Sequence, residues 1–178
     1  LLPWISGLAA ESRDLRLLDV GSGGGCPGIP LACILPTTHI TLLETTGKKA
    51  DFLARTALEL GLAHVKVLQE RAEVAGQEED YRGVFDVVMS RAVGRLPVLL
   101  EFTVPFATEG GVVLAIKGEQ AEQEIMEARQ AFHMLHSSVV ETSRTPTGTV
   151  IVIEKQRKTP SKYPRAAGEP KRNPLGSS

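Results

Sequence analysis

Five glycines crowd positions 21, 23, 24, 25 and 28, directly after the run Leu17-Leu18-Asp19-Val20 and directly before Ile29-Pro30-Leu31. Glycine reaches positive φ without steric cost and lets a ligand approach the backbone, while the free N–H groups at a helix start attract anionic or polar groups. An apolar strand, a glycine loop and a helix in that order make a cradle for a nucleotide-type cofactor. One strand later, Glu44 ends the apolar stretch Ile40-Thr41-Leu42-Leu43 with a carboxylate suited to ribose hydroxyls. Arg91 follows a further apolar run, Val87-Val88-Met89-Ser90, and brings a cation to the same kind of strand end.

Several cofactors suit such a cradle. Gly23-x-Gly25-x-x-Gly28 with Glu44 satisfies the dinucleotide fingerprint, whereas the absence of Gly-Lys-Ser/Thr excludes a P-loop. A nicotinamide enzyme needs a proton donor, yet Tyr81 and Tyr163 have no lysine four residues on, and His39, His64, His133 and His136 lack a carboxylate at helical spacing. The alternative is S-adenosylmethionine, held in class I methyltransferases by a loop with an acidic residue just before its glycines, here Asp19. Glycine N–H groups of that loop receive the methionine carboxylate, Asp19 attracts the amino group directly or through water, and Glu44 accepts from both ribose hydroxyls. Arg71-Ala72-Glu73 follows the third strand, where adenine is usually edged. A nicotinamide-dependent oxidoreductase and a non-catalytic nucleotide-binding regulatory module remain open at this level.

These groups meet only if the chain between them folds accordingly. Residues 16–20 read as a strand, 29–35 as a short helix stopped by Pro36, 39–44 as a second strand and 48–60 as a helix ending at Gly61. Strands follow at 65–68 and 85–90, then a strong helix at 96–106, and the apolar run 112–116 suits a strand buried on both faces. Residues 119–134 set Ile125, Met126, Ala128 and Phe132 opposite a charged side, as an amphipathic helix does. Segments 137–142 and 149–153 are joined by Pro146-Thr147-Gly148, too short for a crossover, and so form an antiparallel hairpin. The sum is an α/β fold, a doubly wound, mostly parallel seven-stranded sheet with a C-terminal antiparallel hairpin.

With 178 residues, 42% of them hydrophobic, the chain supplies one core, assigned to a domain over 1–154. No run of about 18 apolar residues and no charged-then-apolar leader is present, so neither membrane insertion nor secretion is expected. Cys26 and Cys33 have no paired metal or redox spacing, which points to no metal and to a reducing, cytoplasmic setting; a monomer is expected. The chain opens on Leu1 rather than Met, which suggests a shortened N-terminal part, and Trp4 is read as a packing residue rather than a base-stacking one. The net charge of −1 conceals an asymmetry: 13 Lys and Arg stand against 20 Asp and Glu in 1–154, but 7 against 1 in 155–178. With Pro160, Pro164, Pro170 and Pro174, that tail reads as a basic extended arm suited to a polyanion.

The stretch Asp19-Val20-Gly21-Ser22-Gly23-Gly24-Gly25-Cys26-Pro27-Gly28-Ile29-Pro30-Leu31 closely resembles the glucose-inhibited division protein B family. Leu43-Glu44-Thr45-Thr46-Gly47-Lys48-Lys49, Arg71-Ala72-Glu73, Ser90-Arg91-Ala92, Lys117-Gly118 and Lys158-Thr159-Pro160-Ser161-Lys162-Tyr163-Pro164-Arg165 extend the resemblance in order over nearly the whole chain. It implies an S-adenosylmethionine-dependent methyltransferase acting on N7 of a guanine in 16S, small-subunit ribosomal RNA, as naked rRNA or within the 30S subunit. It further implies cofactor contacts at Gly21, Cys26, Glu44, Thr45, Thr46, Ala72, Glu73 and Arg91, beside the Asp19 and Gly23 contacts expected from the loop itself. Arg91 is the candidate at the reaction centre, and Lys117, Lys158, Lys162 and Arg165 are the candidate RNA contacts. Members of that family carry a helical N-terminal segment that this chain mostly lacks. Deleting 155–178 is expected to weaken RNA binding and spare cofactor binding.

That reaction fits what the chain lacks. Guanine N7 has a lone pair and no proton, so methylation needs in-line placement and no general base. The Asn/Asp-Pro-Pro-aromatic turn of amino-group methylases is replaced here by Ser90-Arg91-Ala92-Val93, and neither cysteine is placed as the nucleophile that carbon-5 methylation of pyrimidines requires.

Overall fold

Period-two alternation sends Leu17, Ile40, Leu42, Val87, Met89 and Leu114 to one face of a sheet and Leu18, Val20, Leu43, Val88, Val113 and Ala115 to the other. Strands apolar on both faces must be covered twice, which is what a doubly wound sheet provides. The computed structural model describes residues 1, 3–5, 7 and 14–176. Its strands are β1 (Arg16–Val20), β2 (His39–Leu43), β3 (Val65–Leu68), β4 (Phe85–Arg91), β5 (Ala107–Lys117), β6 (Ser137–Thr145) and β7 (Gly148–Lys155). They form one seven-stranded sheet in the order β3-β2-β1-β4-β5-β7-β6, with β1 to β5 parallel and β7 antiparallel to both its neighbours.

Helices α1 (Gly28–Ile34) and α2 (Gly47–Glu59) cover the Leu17 face through Ile29, Leu31, Ala32, Leu53 and Ala57. The other face is covered by α3 (Ala72–Ala75), α4 (Leu96–Thr103) and α6 (Arg129–Leu135). Residues 119–134, expected as one helix, are two: α5 (Ala121–Glu127) ends at Ala128, where ψ of 3° breaks the helical run, and α6 follows. The break lets both short helices lie on α4 while Ala128 is fully buried. The helix expected at 96–106 closes as a 3₁₀ turn, Val104–Phe106, as Pro105 dictates. β5 begins earlier than expected, at Ala107, because residues 108–111 bulge out between the Phe85–Ala107 and Val87–Val112 pairs. Trp4 is half-buried against the Leu17-face core, and its Nε1 donates to Glu141 Oε2 at 2.9 Å.

The C-terminal segment departs from the expectation of an extended arm. It runs back over the domain, burying Tyr163 and Leu175 in the same core as α4, and ends in a further turn of helix, α7 (Glu169–Arg172). Lys155, its first residue, is also buried: its Nζ donates to the Ala107 carbonyl at 2.7 Å, and burial, aided by Arg82, lowers its pKa to about 8. Seven basic residues in the tail therefore do not make a solvated strand, because its apolar residues have a core to join.

Candidate cofactor site

The strand order reverses direction between β1 and β4, and ligands of open α/β sheets bind at the carboxyl ends of the strands flanking such a point. The glycine loop leaves β1 there, and the Arg91-Ala92-Val93-Gly94 loop leaves β4. Gly21, Gly23 and Gly25 have φ of +74°, +57° and +90°. A Cβ on Gly21 would stand 2.7 Å from Val93 Cγ2, so glycine there serves conformation and close approach together. Backbone bonds from Gly21 and Ser22 to the Leu43 carbonyl, at 2.8 and 3.1 Å, tie the loop to the end of β2.

Glu44 is the organising side chain. Its Oε2 accepts the Gly23 N–H at 2.9 Å and its Oε1 accepts the Thr46 N–H at 2.8 Å, so one carboxylate fixes the loops after β1 and β2. Burial opposes its charge, but the Thr46 and Gly23 amides, the Thr46 hydroxyl and Lys49 outweigh burial and hold the carboxyl below its usual range. Beyond the two amides, the carboxylate oxygens have lone-pair capacity for hydroxyl donors.

Asp19 stands beneath the loop at 1% exposure, and its Oδ2 accepts the Gly28 N–H at 3.0 Å. It therefore pins the start of α1 to the end of β1. Burial raises its pKa to about 6, against the lowering effects of Gly28, Arg91 and Ser22. A carboxyl whose folded pKa lies above its unfolded value stabilises the fold fully below pH 3.8 and loses that contribution as pH rises through about 6. Between those limits the loss amounts to about 3 kcal/mol. Asp19→Asn keeps an acceptor for Gly28, so urea titrations at pH 4 and pH 7 should show a smaller fall in stability for the variant. Equal falls would refute the assignment.

A cleft of about 260 Å³ opens at this end of the sheet, lined by Gly21, Glu44, Thr45, Thr46, Arg71, Ala72, Glu73, Val93, Phe102 and Lys171, with Val20 and Leu43 at its base. It lies just under the roughly 300–1,000 Å³ of sites that enclose a drug-sized ligand, so it suits the nucleoside end of a cofactor whose amino-acid end lies along the loop. Larger clefts of about 430 and 360 Å³ sit by α2 and at the amino end of the sheet, away from the glycine loop. Gly21, Glu44, Thr45, Thr46, Ala72 and Glu73 thus share one cleft, with Gly23 held against Glu44 and the free thiol of Cys26 exposed at the loop. Glu73 is buried, its Oε1 accepting the Gly168 N–H at 2.8 Å and lying 3.8 Å from Arg71 Nη1 in an ion pair. Arg91 is exposed at the end of β4 and acts electrostatically on Asp19.

Two of the four RNA candidates are engaged within the fold. Lys117 donates to the Gly94 carbonyl at 2.5 Å and pairs with Glu124 at 2.7 Å, its side chain 9% exposed. It ties the loop after β4 to α5 and is not available to a phosphate. Lys117→Met should cost about 2 kcal/mol, a fall of roughly 5 °C in Tm, with RNA affinity within twofold of the unaltered chain. A fall in RNA affinity without a fall in Tm would restore its contact role. Arg165 is paired with buried Glu101, whereas Lys158 and Lys162 are exposed. Glu101 is not among the residues expected from the sequence, although a carboxylate within Leu96-Pro97-Val98-Leu99-Leu100-Glu101-Phe102 signals a buried partner. Among the described residues no cluster of His, Cys, Asp and Glu could hold a metal, and no helix is long and apolar enough to cross a membrane.

This sheet order, with its glycine loop and strand-two carboxylate, is that of a class I, S-adenosylmethionine-dependent methyltransferase fold. The same fold is found in an S-adenosylmethionine-dependent methyltransferase from Aquifex aeolicus (TM-score 0.63, 14% identity, covering 84% of this chain and 87% of that one). It is found again in M. jannaschii TYW2 in complex with AdoMet (TM-score 0.62, 16% identity, 80% and 68%). The chain belongs to the GidB family, rRNA small subunit methyltransferase G, whose model matches residues 4–150. Proteins named ribosomal RNA small subunit methyltransferase G from Streptococcus pyogenes serotype M3 and Lactococcus lactis are each 39% identical to it over 180 aligned positions. The match spans 98% of this chain and 76% and 75% of theirs. Family membership favours methyl transfer over the oxidoreductase and regulatory-module readings.

Proposed function

We propose that this chain transfers the methyl group of S-adenosylmethionine to N7 of a guanine in 16S ribosomal RNA. The observation that carries the reading is Glu44: a buried, ionised carboxylate at the end of β2 whose oxygens brace the glycine loop and face the nucleoside-sized cleft. Its spare lone pairs suit the two ribose hydroxyls, and Glu73 Oε2 suits the adenine amino group. The loop N–H groups suit the methionine carboxylate. Asp19 supplies negative charge beneath the amino group through the loop rather than by an exposed contact. When bound, the cofactor supplies an electrophilic methyl on sulfur.

Guanine N7 carries a lone pair and no proton, so transfer would need no proton acceptor from the chain, the bound cofactor supplying the methyl and taking up the C–S bonding pair. The residues at the site accordingly position and neutralise rather than act as acid or base. Arg91, exposed at the end of β4, donates to an RNA phosphate or to guanine O6. Lys158 and Lys162 add basic charge at the surface for the RNA backbone.

The test is methylation of 30S subunits and of naked 16S rRNA with methyl-labelled cofactor. N7 methylation leaves a cationic ring, so the product strand should break at a single guanine after borohydride and aniline treatment. Label incorporated without such a break would overturn the N7 assignment, and no incorporation into either substrate would overturn the rRNA reading.

A further inference from the structure

We propose that the C-terminal segment is a strap that completes the adenine end of the cofactor cleft, with Lys171 as a further cofactor-contacting residue and the Gly168 amide as the group that orients Glu73. This rests on the cofactor reading above and extends it to residues outside the glycine loop.

The strap is held at several points along its length. Arg82 donates to the carbonyls of Tyr163 (2.6 Å), Thr159 (3.0 Å) and Pro160 (3.1 Å), as well as to Gly76 (2.7 Å) in its own neighbourhood. Gln77 Nε2 donates to the Pro164 and Ser161 carbonyls at 2.7 and 3.1 Å. Arg165 meets fully buried Glu101 through its backbone N–H and its guanidinium. Every one of these anchors lies in 159–165, and none of them touches the cleft. Their consequence falls further along, where the chain reaches the cleft wall.

There Gly168, at φ +83°, turns its N–H onto Glu73 Oε1 at 2.8 Å. That bond uses one oxygen of a buried carboxylate and fixes the direction of the other. Three residues on, Lys171 lines the same cleft as Glu44, Thr46 and Glu73, and its ammonium lies 6.0 Å from the centroid of the Phe102 ring, also part of the cleft wall. Adenine offers an amino donor at N6 and lone pairs at its ring nitrogens. A carboxylate and an ammonium on one wall complement that pattern, and inosine, with an oxygen in place of N6, does not match the carboxylate. Deleting 155–178 should therefore remove cofactor binding as well as RNA binding, contrary to the expectation from composition.

Calorimetry with S-adenosylhomocysteine and hydrogen exchange on the full chain test this. Lys171→Met should weaken binding about fivefold or more without changing the apo Tm, and Lys171→Arg should restore it to within about twofold. Exchange of amides in 159–173 should slow when S-adenosylhomocysteine binds, and the unaltered chain should prefer it to S-inosylhomocysteine. Unchanged affinity in Lys171→Met would overturn the role of that side chain, and unchanged exchange in 159–173 would overturn the strap. Failure of the unaltered chain to bind S-adenosylhomocysteine would instead remove the cofactor reading, and the strap with it.

Discussion

Glu44→Ala is expected to weaken S-adenosylhomocysteine binding by about two orders of magnitude. Two hydrogen bonds from ribose hydroxyls to a carboxylate contribute roughly 1.5 kcal/mol each, and about 3 kcal/mol is more than a hundredfold in affinity. The substitution also frees the Gly23 and Thr46 amides that Glu44 now accepts, so the loops after β1 and β2 lose their common brace. Glu44→Gln keeps one acceptor and should fall between, near tenfold. Calorimetry reads both effects, with thermal melts to confirm that each variant is folded. Affinity within threefold of the unaltered chain for Glu44→Ala would remove the ribose role.

The parts of this site that follow from local rules were legible in the sequence. β1 and β3 have the bounds expected from the sequence, Arg16–Val20 and Val65–Leu68, and the glycines at 21, 23 and 25 all take positive φ. Glu44, Thr45, Thr46, Ala72 and Glu73 come to one cleft because parallel strands place all their carboxyl ends on one edge. What was not legible depends on contacts far apart in sequence. Lys117 reads as a free strand-end cation until Glu124, on the next helix, folds back onto it. Asp19 reads as a ligand group until its burial beneath Gly28 is seen. The tail differs from its compositional expectation for the same reason. Proline and basic residues exclude a long helix or a central strand, but they do not exclude irregular chain whose carbonyls are captured by Arg82 and whose Tyr163 and Leu175 enter the core.

Arg165→Ala is expected to lower Tm by roughly 6–12 °C, the largest stability effect of any single substitution in the strap. Glu101 is fully buried within α4, and Arg165 satisfies it through the backbone N–H at 2.8 Å, Nε at 2.9 Å and Nη2 at 2.7 Å. Hydrogen bonding to Glu101 in turn raises the Arg165 pKa. Alanine would leave a buried carboxylate with one backbone donor, and breaking such a pair from one side costs about 3 kcal/mol or more. At roughly 2–4 °C per kcal/mol for a chain of this size, that cost gives the stated fall in Tm. The loss reflects the stranded charge more than the worth of the bridge, so the double variant Glu101→Leu, Arg165→Met should recover most of it. Thermal melts of the two single variants and the double variant form a cycle that separates these contributions. If Arg165→Ala melts within 2 °C of the unaltered chain while its RNA affinity falls, Arg165 serves RNA after all. A lower Tm with unchanged RNA affinity for the folded fraction assigns it to the strap.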